Sequence, residues 1–414
     1  MNSIKLPQYI WYEPREVELP LSDSWQVSVH NIAGYNRPAM RASEIGAAIT
    51  SPIGMPPLRE VAKGKNEAVI IFDDMTRGTQ TSEIVPFVLG ELTEAGITDD
   101  RIRFIAAVAN HQALDRISMV KKLGEDIVTR FPVYNHCPFL NCTYVGTTSY
   151  GTKASINSEV MHCDLKITIG SVVPHVSYGL SGGGKTIIPG VASYDTVVAH
   201  HGETHKVWKD ARSKQGLPLR GTIDGSPINA DAMEIAQMVS LDMSINCIAN
   251  RWGETVAIFA GALEPTYQAA VTEAKSHYIA ANTRDNDIVI ANNFIKASEF
   301  GMALAALPAV TPQGGSIVII ANAPSGQVVH YLFGNFGKTI SGSIHRSTVI
   351  APHINNFIIY TEYPEDTILG HFADRDRVLL TSNWKQVMQV LEKSHGAGAK
   401  VAVYPNAGIQ YFAD

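Results

Sequence analysis

Cysteine is scarce in this sequence: Cys137, Cys142, Cys163 and Cys247 are the only four in 414 residues. That is too few for a disulfide framework, and a reducing cytoplasm is the expected setting. Charge is scarce too. Asp, Glu, Lys and Arg make up 17% of the chain, against about 25% in a typical soluble protein. A surface so lean in charge is expected to be partly covered, which leaves room for a homo-oligomer. The 33 basic and 39 acidic residues give a net charge of −6. Without a basic face to displace counterions, no nucleic-acid partner is expected. There is no run of about 18 apolar residues, so no membrane partner is expected either. The start, Met1 to Pro7, is too polar and too soon interrupted by proline to be expected as a secretory signal. Repeats and low-complexity tracts are also lacking.

Apolar residues are plentiful, at 45%, and the length predicts two or three domains at roughly 150 residues each. The first 35 residues read as extended segments, with Trp25 to Val29 alternating. Residues 42–49 predict a short helix. Ala68 to Phe72 is a continuous apolar run, the pattern of a strand buried on both faces. A polar loop and a helical repeat over Ile84 to Leu92 follow it. The unit recurs as a strand over Ile102 to Val108, a loop, and a helix over Asp115 to Arg130. Leu165 to Ile169 is a further strand. A second series has strands at Ile288, Ile317, Phe357 and Val401, with helices over Glu299 to Leu307 and Trp384 to His395. Strands alternating with helices predict mostly parallel sheets. We therefore expect an α/β protein of two α/β domains with an interdomain active-site cleft. The expected division is 1–280, 281–395, and a strand or tail at 396–414 packing back. In parallel sheets ligands bind beyond the carboxyl ends of the strands, so the loops after Phe72, Val108 and Val173 are where chemistry is expected.

The densest segment runs from Gly170 to Gly190 and contains Gly182-Gly183-Gly184-Lys185-Thr186. Consecutive glycines let backbone amides converge on an anion. Gly179 to Thr186 matches the G-x-x-x-x-G-K-T phosphate loop, which makes a nucleotide-binding protein or NTPase one alternative. That loop must open a helix, however, and Pro189 stands where the helix should run. Zinc is a second alternative, because His201 and His205 are four apart. The intervening Glu203 is two positions after His201 rather than one, a rotation of about 200° away from it on a helix. His136, Cys137, Cys142, His162 and Cys163 match no standard ligand spacing, and buried thiols acting as small hydrophobes are the plainer reading.

Taken with the other loops, the sequence resembles the nickel-pincer-nucleotide-dependent lactate racemases and related 2-hydroxyacid racemases and epimerases. The likeness begins near Ser51 to Leu58 and Asp74 to Arg77, and continues through His111 and Asn135-His136. It is strongest from Pro174-His175 through Lys185 to His201. It implies an isomerase that inverts C2 of a 2-hydroxyacid by reversible hydride transfer. It also implies a cofactor, a pyridinium-3-thioamide-5-thiocarboxylate mononucleotide holding nickel, tethered covalently to Lys185. The nickel ligand implied is His201, or His200 if the loop is shifted by one. Backbone amides around Ser181, Gly182 and Gly183 would cradle the phosphate. Asp74 and Asn293 would also hold the cofactor. His111 and His175 would be the two catalytic bases, suited by an ordinary pKa of about 6.5. Arg77 and Lys296 would bind the carboxylate, Arg77 through paired hydrogen bonds. Cofactor-biosynthesis proteins are implied partners.

The sequence departs from the family pattern in places. The first histidine is usually preceded by Gly-Thr and followed by Arg, but here the run is Ala109-Asn110-His111-Gln112. Gly78 stands where proline is common after Arg77, and Asn293 replaces glutamine. Lys185, His175 and His201 are intact. The expected substrate is therefore a 2-hydroxyacid other than lactate, with a non-catalytic cofactor-binding homologue as a further alternative.

Overall fold

Ala68–Asp73 is buried along its whole length, as a strand with neighbours on both edges and helices on both faces must be. In the computed structural model it lies at the centre of a six-stranded sheet. That model describes residues 2–204, 210, 220–221, 223–332, 335–336, 340–341 and 348–412. The strand order is Thr255–Gly261, Met243–Ala249, Leu165–Ser171, Ala68–Asp73, Ile102–Ala107 and Val133–Asn135. All run parallel except Thr255–Gly261 at the edge. Helices Ala42–Thr50 and Thr81–Glu94 bring Ile49, Ile84 and Val88 onto Ile70, Phe72, Phe104 and Ile167 in one core. The helix expected over Asp115 to Arg130 is two pieces, Arg116–Leu123 and Glu125–Arg130. Gly124 breaks it with a φ of 89°, a backbone region open mainly to glycine.

This sheet belongs to a unit spanning Asn36–Ser276. The second unit joins Met1–Tyr35 to His277–Asp414. Its six-stranded sheet is parallel throughout, in the order Val378–Thr381, Ile354–Tyr360, Gly315–Ile320, Ile288–Asn292, Lys400–Tyr404 and Gln26–Val29. Alternate side chains serve opposite faces: Val289 and Ala291 enter one core, Ile288 and Ile290 the other. Glu299 to Leu307, expected as a helix, is a 3-10 stretch at Phe300–Ala309 containing Pro308.

The division of the chain differs from the one expected. The first 35 residues belong with the C-terminal half, because Gln26–Val29 pairs with Lys400–Tyr404 and Leu6 and Trp25 pack in the same core as Ile288 and Trp384. Lys400–Tyr404, expected as a strand, is an inner strand of that sheet. Pairing between segments some 370 residues apart leaves no local periodicity to read. Among the described residues no helix is long and apolar enough to cross a membrane.

Candidate active site

The chemistry-bearing side chains of the first unit gather at the carboxyl ends of its parallel strands. Ala68–Asp73 ends in two carboxylates with different tasks. Asp73 accepts from Lys122 Nζ at 2.7 Å, from the Thr79 hydroxyl at 2.5 Å and from the Ser171 amide at 3.0 Å. Lys122 is fully buried and also donates to the Thr79 carbonyl at 3.1 Å. This network folds the loop back on itself and ties it to the end of the neighbouring strand.

Asp74 faces the other way. Its Oδ2 lies 2.6 Å from Nδ1 of His111, and its Oδ1 accepts from the Thr76 amide at 3.0 Å and from the Thr76 hydroxyl. Burial opposes the charge on Asp74, but His111, Arg77 and Thr76 outweigh it and hold the carboxyl well below the usual carboxylate range. With Nδ1–H donated to a carboxylate, the neutral His111 ring has Nε2 as its proton-accepting atom. Arg77 is anchored beside it, donating to the Thr76 hydroxyl at 2.6 Å and the Thr76 carbonyl at 3.1 Å.

A second cluster is built by the glycine-rich segment. Pro174–His175 and Gly179–Leu180 form a two-residue ladder. His175 Nδ1 accepts from the Ser177 amide at 3.1 Å, so the neutral ring carries its proton on Nε2. Nε2 lies 2.8 Å from Lys185 Nζ. Lys185 Nζ also sits 4.2 Å from the centroid of the Tyr178 ring. The ring of His201 is 5.8 Å from that of Tyr178. His200 is buried with Asp231: Nδ1 is 2.7 Å from Oδ2 of Asp231, and Nε2 is 2.8 Å from the Tyr178 hydroxyl. Burial pulls His200 below the ordinary histidine range, against the opposing pull of Asp231.

Other expected site residues have partners within the protein. Around the expected phosphate cradle, the Ser181 and Gly183 amides are engaged. The Ser181 amide donates to the Val173 carbonyl at 2.8 Å, its hydroxyl to the Ser171 carbonyl at 3.0 Å, and the Gly183 amide to Asn246 at 2.9 Å. The glycines serve close packing. A Cβ at Gly182 would stand 2.4 Å from Val172, and one at Gly184 would stand 2.3 Å from the Ala232 carbonyl. Lys296, expected to bind substrate, is fully buried and ion-paired with Glu299. Asn293, expected on the cofactor, is buried beside it and donates to the carbonyls of Lys296 and Glu299. Both lie in the second unit, in a turn they hold together.

The phosphate-loop alternative fares no better. Gly183–Thr186 is a short 3-10 turn, and no α-helix starts at Lys185. For zinc, no group of three His, Cys, Asp or Glu gathers among the described residues, while His205 lies outside them. His136 is structural: its ring bonds the Ala192 carbonyl at 2.8 Å and Asn157 at 3.1 Å, and burial pulls it down to about 4. Burial pushes the Cys163 thiol up to about 11. Sequence reasoning assigned no role to Asp73, Lys122 or Asp231. Each is an ordinary residue on a helix or strand end, and only the folded neighbours give it a task.

The fold and these two clusters define a two-unit α/β protein with a lysine, an arginine and several oriented histidines at the strand ends of one unit. Residues 12–213 match the family described as the lactate racemase N-terminal domain. Lactate racemase from Lactiplantibacillus plantarum is 28% identical over 337 residues, 79% of this chain and 76% of that protein. Lactate racemase from Thermoanaerobacterium thermosaccharolyticum is 30% identical over 288 residues, 67% of this chain and 65% of that protein. The solved lactate racemase apoprotein from T. thermosaccharolyticum covers all of both chains with a TM-score of 0.72 at 19% identity. A structural-genomics protein from Thermotoga maritima has a TM-score of 0.66 at 18% identity, covering 91% of this chain and 99% of its own. Over residues 12–213 this chain carries the lactate racemase N-terminal domain, and the curated relatives it matches are racemases, hence isomerases.

Proposed function

We propose that this protein inverts C2 of a 2-hydroxyacid other than lactate, using a nickel-pincer nucleotide carried on Lys185. The observation that carries the reading is the placement of Lys185 Nζ against His175 Nε2 and the Tyr178 ring, with the ring of His201 beside that tyrosine. The donor set fits such a group. An amine is held where a covalent tether needs it, and an imidazole, a reasonable nickel ligand, stands close by. His200 is a poor ligand because Asp231 and Tyr178 engage both of its ring nitrogens. That leaves His201 to hold the metal.

When bound, the cofactor supplies a hydride acceptor that spares the enzyme a carbanion next to a carboxylate. The chain's own residues do the rest. His111, oriented by Asp74, takes the hydroxyl proton at Nε2 and returns it. His175 holds a proton at Nε2 and serves the opposite configuration. Arg77 binds the carboxylate; Lys296 is left out because Glu299 already matches its charge. The altered residues Gly78, Asn110 and Gln112 flank Arg77 and His111, which favours a substrate with a different group on C2. A cytoplasmic setting and delivery by cofactor-biosynthesis proteins complete the proposal.

The test is to produce the chain together with cofactor-synthesis proteins, then measure intact mass, nickel content and racemisation across a panel of 2-hydroxyacids. The expected result is a mass adduct on Lys185, one nickel per chain, and loss of optical rotation for at least one acid. An unmodified mass without nickel under those conditions refutes the reading.

A further inference from the structure

Asp231 lies on helix Pro227–Met238, outside every motif of the sequence, yet its side chain is fully buried. It begins a chain of contacts that ends at Lys185. Its Oδ2 accepts from the Thr152 hydroxyl at 2.6 Å and meets His200 Nδ1 at 2.7 Å. His200 Nε2 meets the Tyr178 hydroxyl at 2.8 Å, and that hydroxyl also reaches the Ile188 carbonyl at 3.1 Å. Lys185 Nζ rests over the Tyr178 ring. None of Asp231, His200 and Tyr178 is used by the proposed chemistry.

Burying a carboxylate, an imidazole and a phenol together costs desolvation that apolar side chains would avoid. What the set supplies instead is direction. Hydrogen bonds of 2.6–2.8 Å allow one arrangement of the tyrosine ring, where an apolar contact would allow several. Tyr178 is also linked at both ends of the loop it spans, to Ile188 after Lys185 and to His175 before it, whose ring meets it edge-on at 5.5 Å.

We propose that Asp231 is a positioning residue for Lys185: acting through His200 and Tyr178, it fixes the ring on which the amine rests and so aims Nζ at the group it is to carry. The proposal rests on the reading of Lys185 as the anchoring amine. It concerns the aim of that amine in the unloaded protein, so it can be tested without nickel or cofactor.

The probe is trace acetic anhydride on the unloaded protein. The amine nitrogen bonds the acyl carbon, the C–O bond to acetate breaks with its electron pair, and the amine proton passes to water. Mass spectrometry of one digest compares acetylation of Lys185 with that of exposed Lys63. In Asp231→Ala the Lys185 to Lys63 ratio is expected to change on the order of tenfold, the scale of a misplaced reacting group. Asp231→Asn should restore most of the original ratio, because its amide oxygen still accepts from Nδ1–H of His200. Tyr178→Phe keeps the ring's volume but cuts its hydroxyl anchor, and should shift the ratio in the same direction as Asp231→Ala. Circular dichroism confirms that each variant is folded; if Asp231→Ala is not, Tyr178→Phe decides. An unchanged ratio in a folded variant overturns the proposal. Failure of the functional reading shows up elsewhere, as a missing adduct on Lys185 in co-produced protein, and leaves this measurement standing.

Discussion

His111 owes its orientation to Asp74: Nδ1 and Oδ2 lie 2.6 Å apart at the ends of adjacent parallel strands. The carboxylate fixes which nitrogen bears the proton, and so which one can take another. Asp74→Asn replaces one acceptor oxygen by an NH2 that can face Nδ1 and favour the wrong tautomer. Once a turned-over acid is identified, kcat should fall on the order of a hundredfold to ten-thousandfold, the usual range for a positioned acid–base group. Nickel content should not change. Loss of nickel along with activity would place Asp74 on the cofactor, as the family resemblance implies, rather than on the base.

A different histidine bears on acid stability. Burial pulls His136 down to about 4, while in the unfolded chain it titrates near 6.5. Between those values the unfolded state binds the extra proton, so stability is full above about 6.5 and falls as pH drops toward 4. His136→Gln should flatten that part of a plot of urea midpoint against pH. An unaltered slope would mean that the loss between pH 6.5 and 4 comes from other groups.

The loop bearing Arg77 depends on a buried ion pair. Lys122 Nζ, inaccessible to solvent, holds Asp73 at 2.7 Å. Lys122→Met leaves Asp73 without its cation, and breaking such a pair typically costs about 3–5 kcal/mol. Asp73→Asn combined with Lys122→Met removes the stranded charge and should recover part of the loss. Equilibrium denaturation of the two single variants and the double variant measures the coupling. Strict additivity would show that the two groups do not act as a pair.

How much of this was legible in the sequence depended on range. Buried parallel strands announce themselves as apolar runs, and Ala68–Asp73, Ile102–Ala107 and Ile288–Asn292 fall where those runs predict. His111, His175 and Lys185 stand at strand ends or in the glycine-rich loop, and it was the family resemblance, not any local pattern, that singled them out. What stayed hidden was pairing at a distance. Nothing local says that Gln26–Val29 joins Lys400–Tyr404, or that Asp231 meets His200. The glycine-rich segment shows a different limit of local reading. Its composition fits an anion cradle, whereas its amides and its missing side chains are used in packing against Val172, Ala232 and Asn246. Composition reports which backbone shapes are allowed, and only the neighbours decide their use.

Asn110, directly before His111, replaces the threonine usual in the family. It is 1% exposed, and among the described residues neither its carboxamide oxygen nor its nitrogen has a hydrogen-bond partner. Leaving such a group unsatisfied costs about 1–3 kcal/mol, a cost that a bound polar group would remove. Asn110→Thr presents a smaller polar group, whose single hydroxyl can turn to a nearby carbonyl. The variant should therefore unfold at a higher urea concentration than the parent in the absence of ligand. If Asn110 contacts the substrate's side chain, the same change should lower kcat/KM for acids with a polar group on C3 relative to lactate. Stabilisation with an unchanged substrate ratio would confine Asn110 to the fold. Destabilisation would show that the carboxamide is satisfied in solution, by ordered water, and would remove the reason to place it at the substrate.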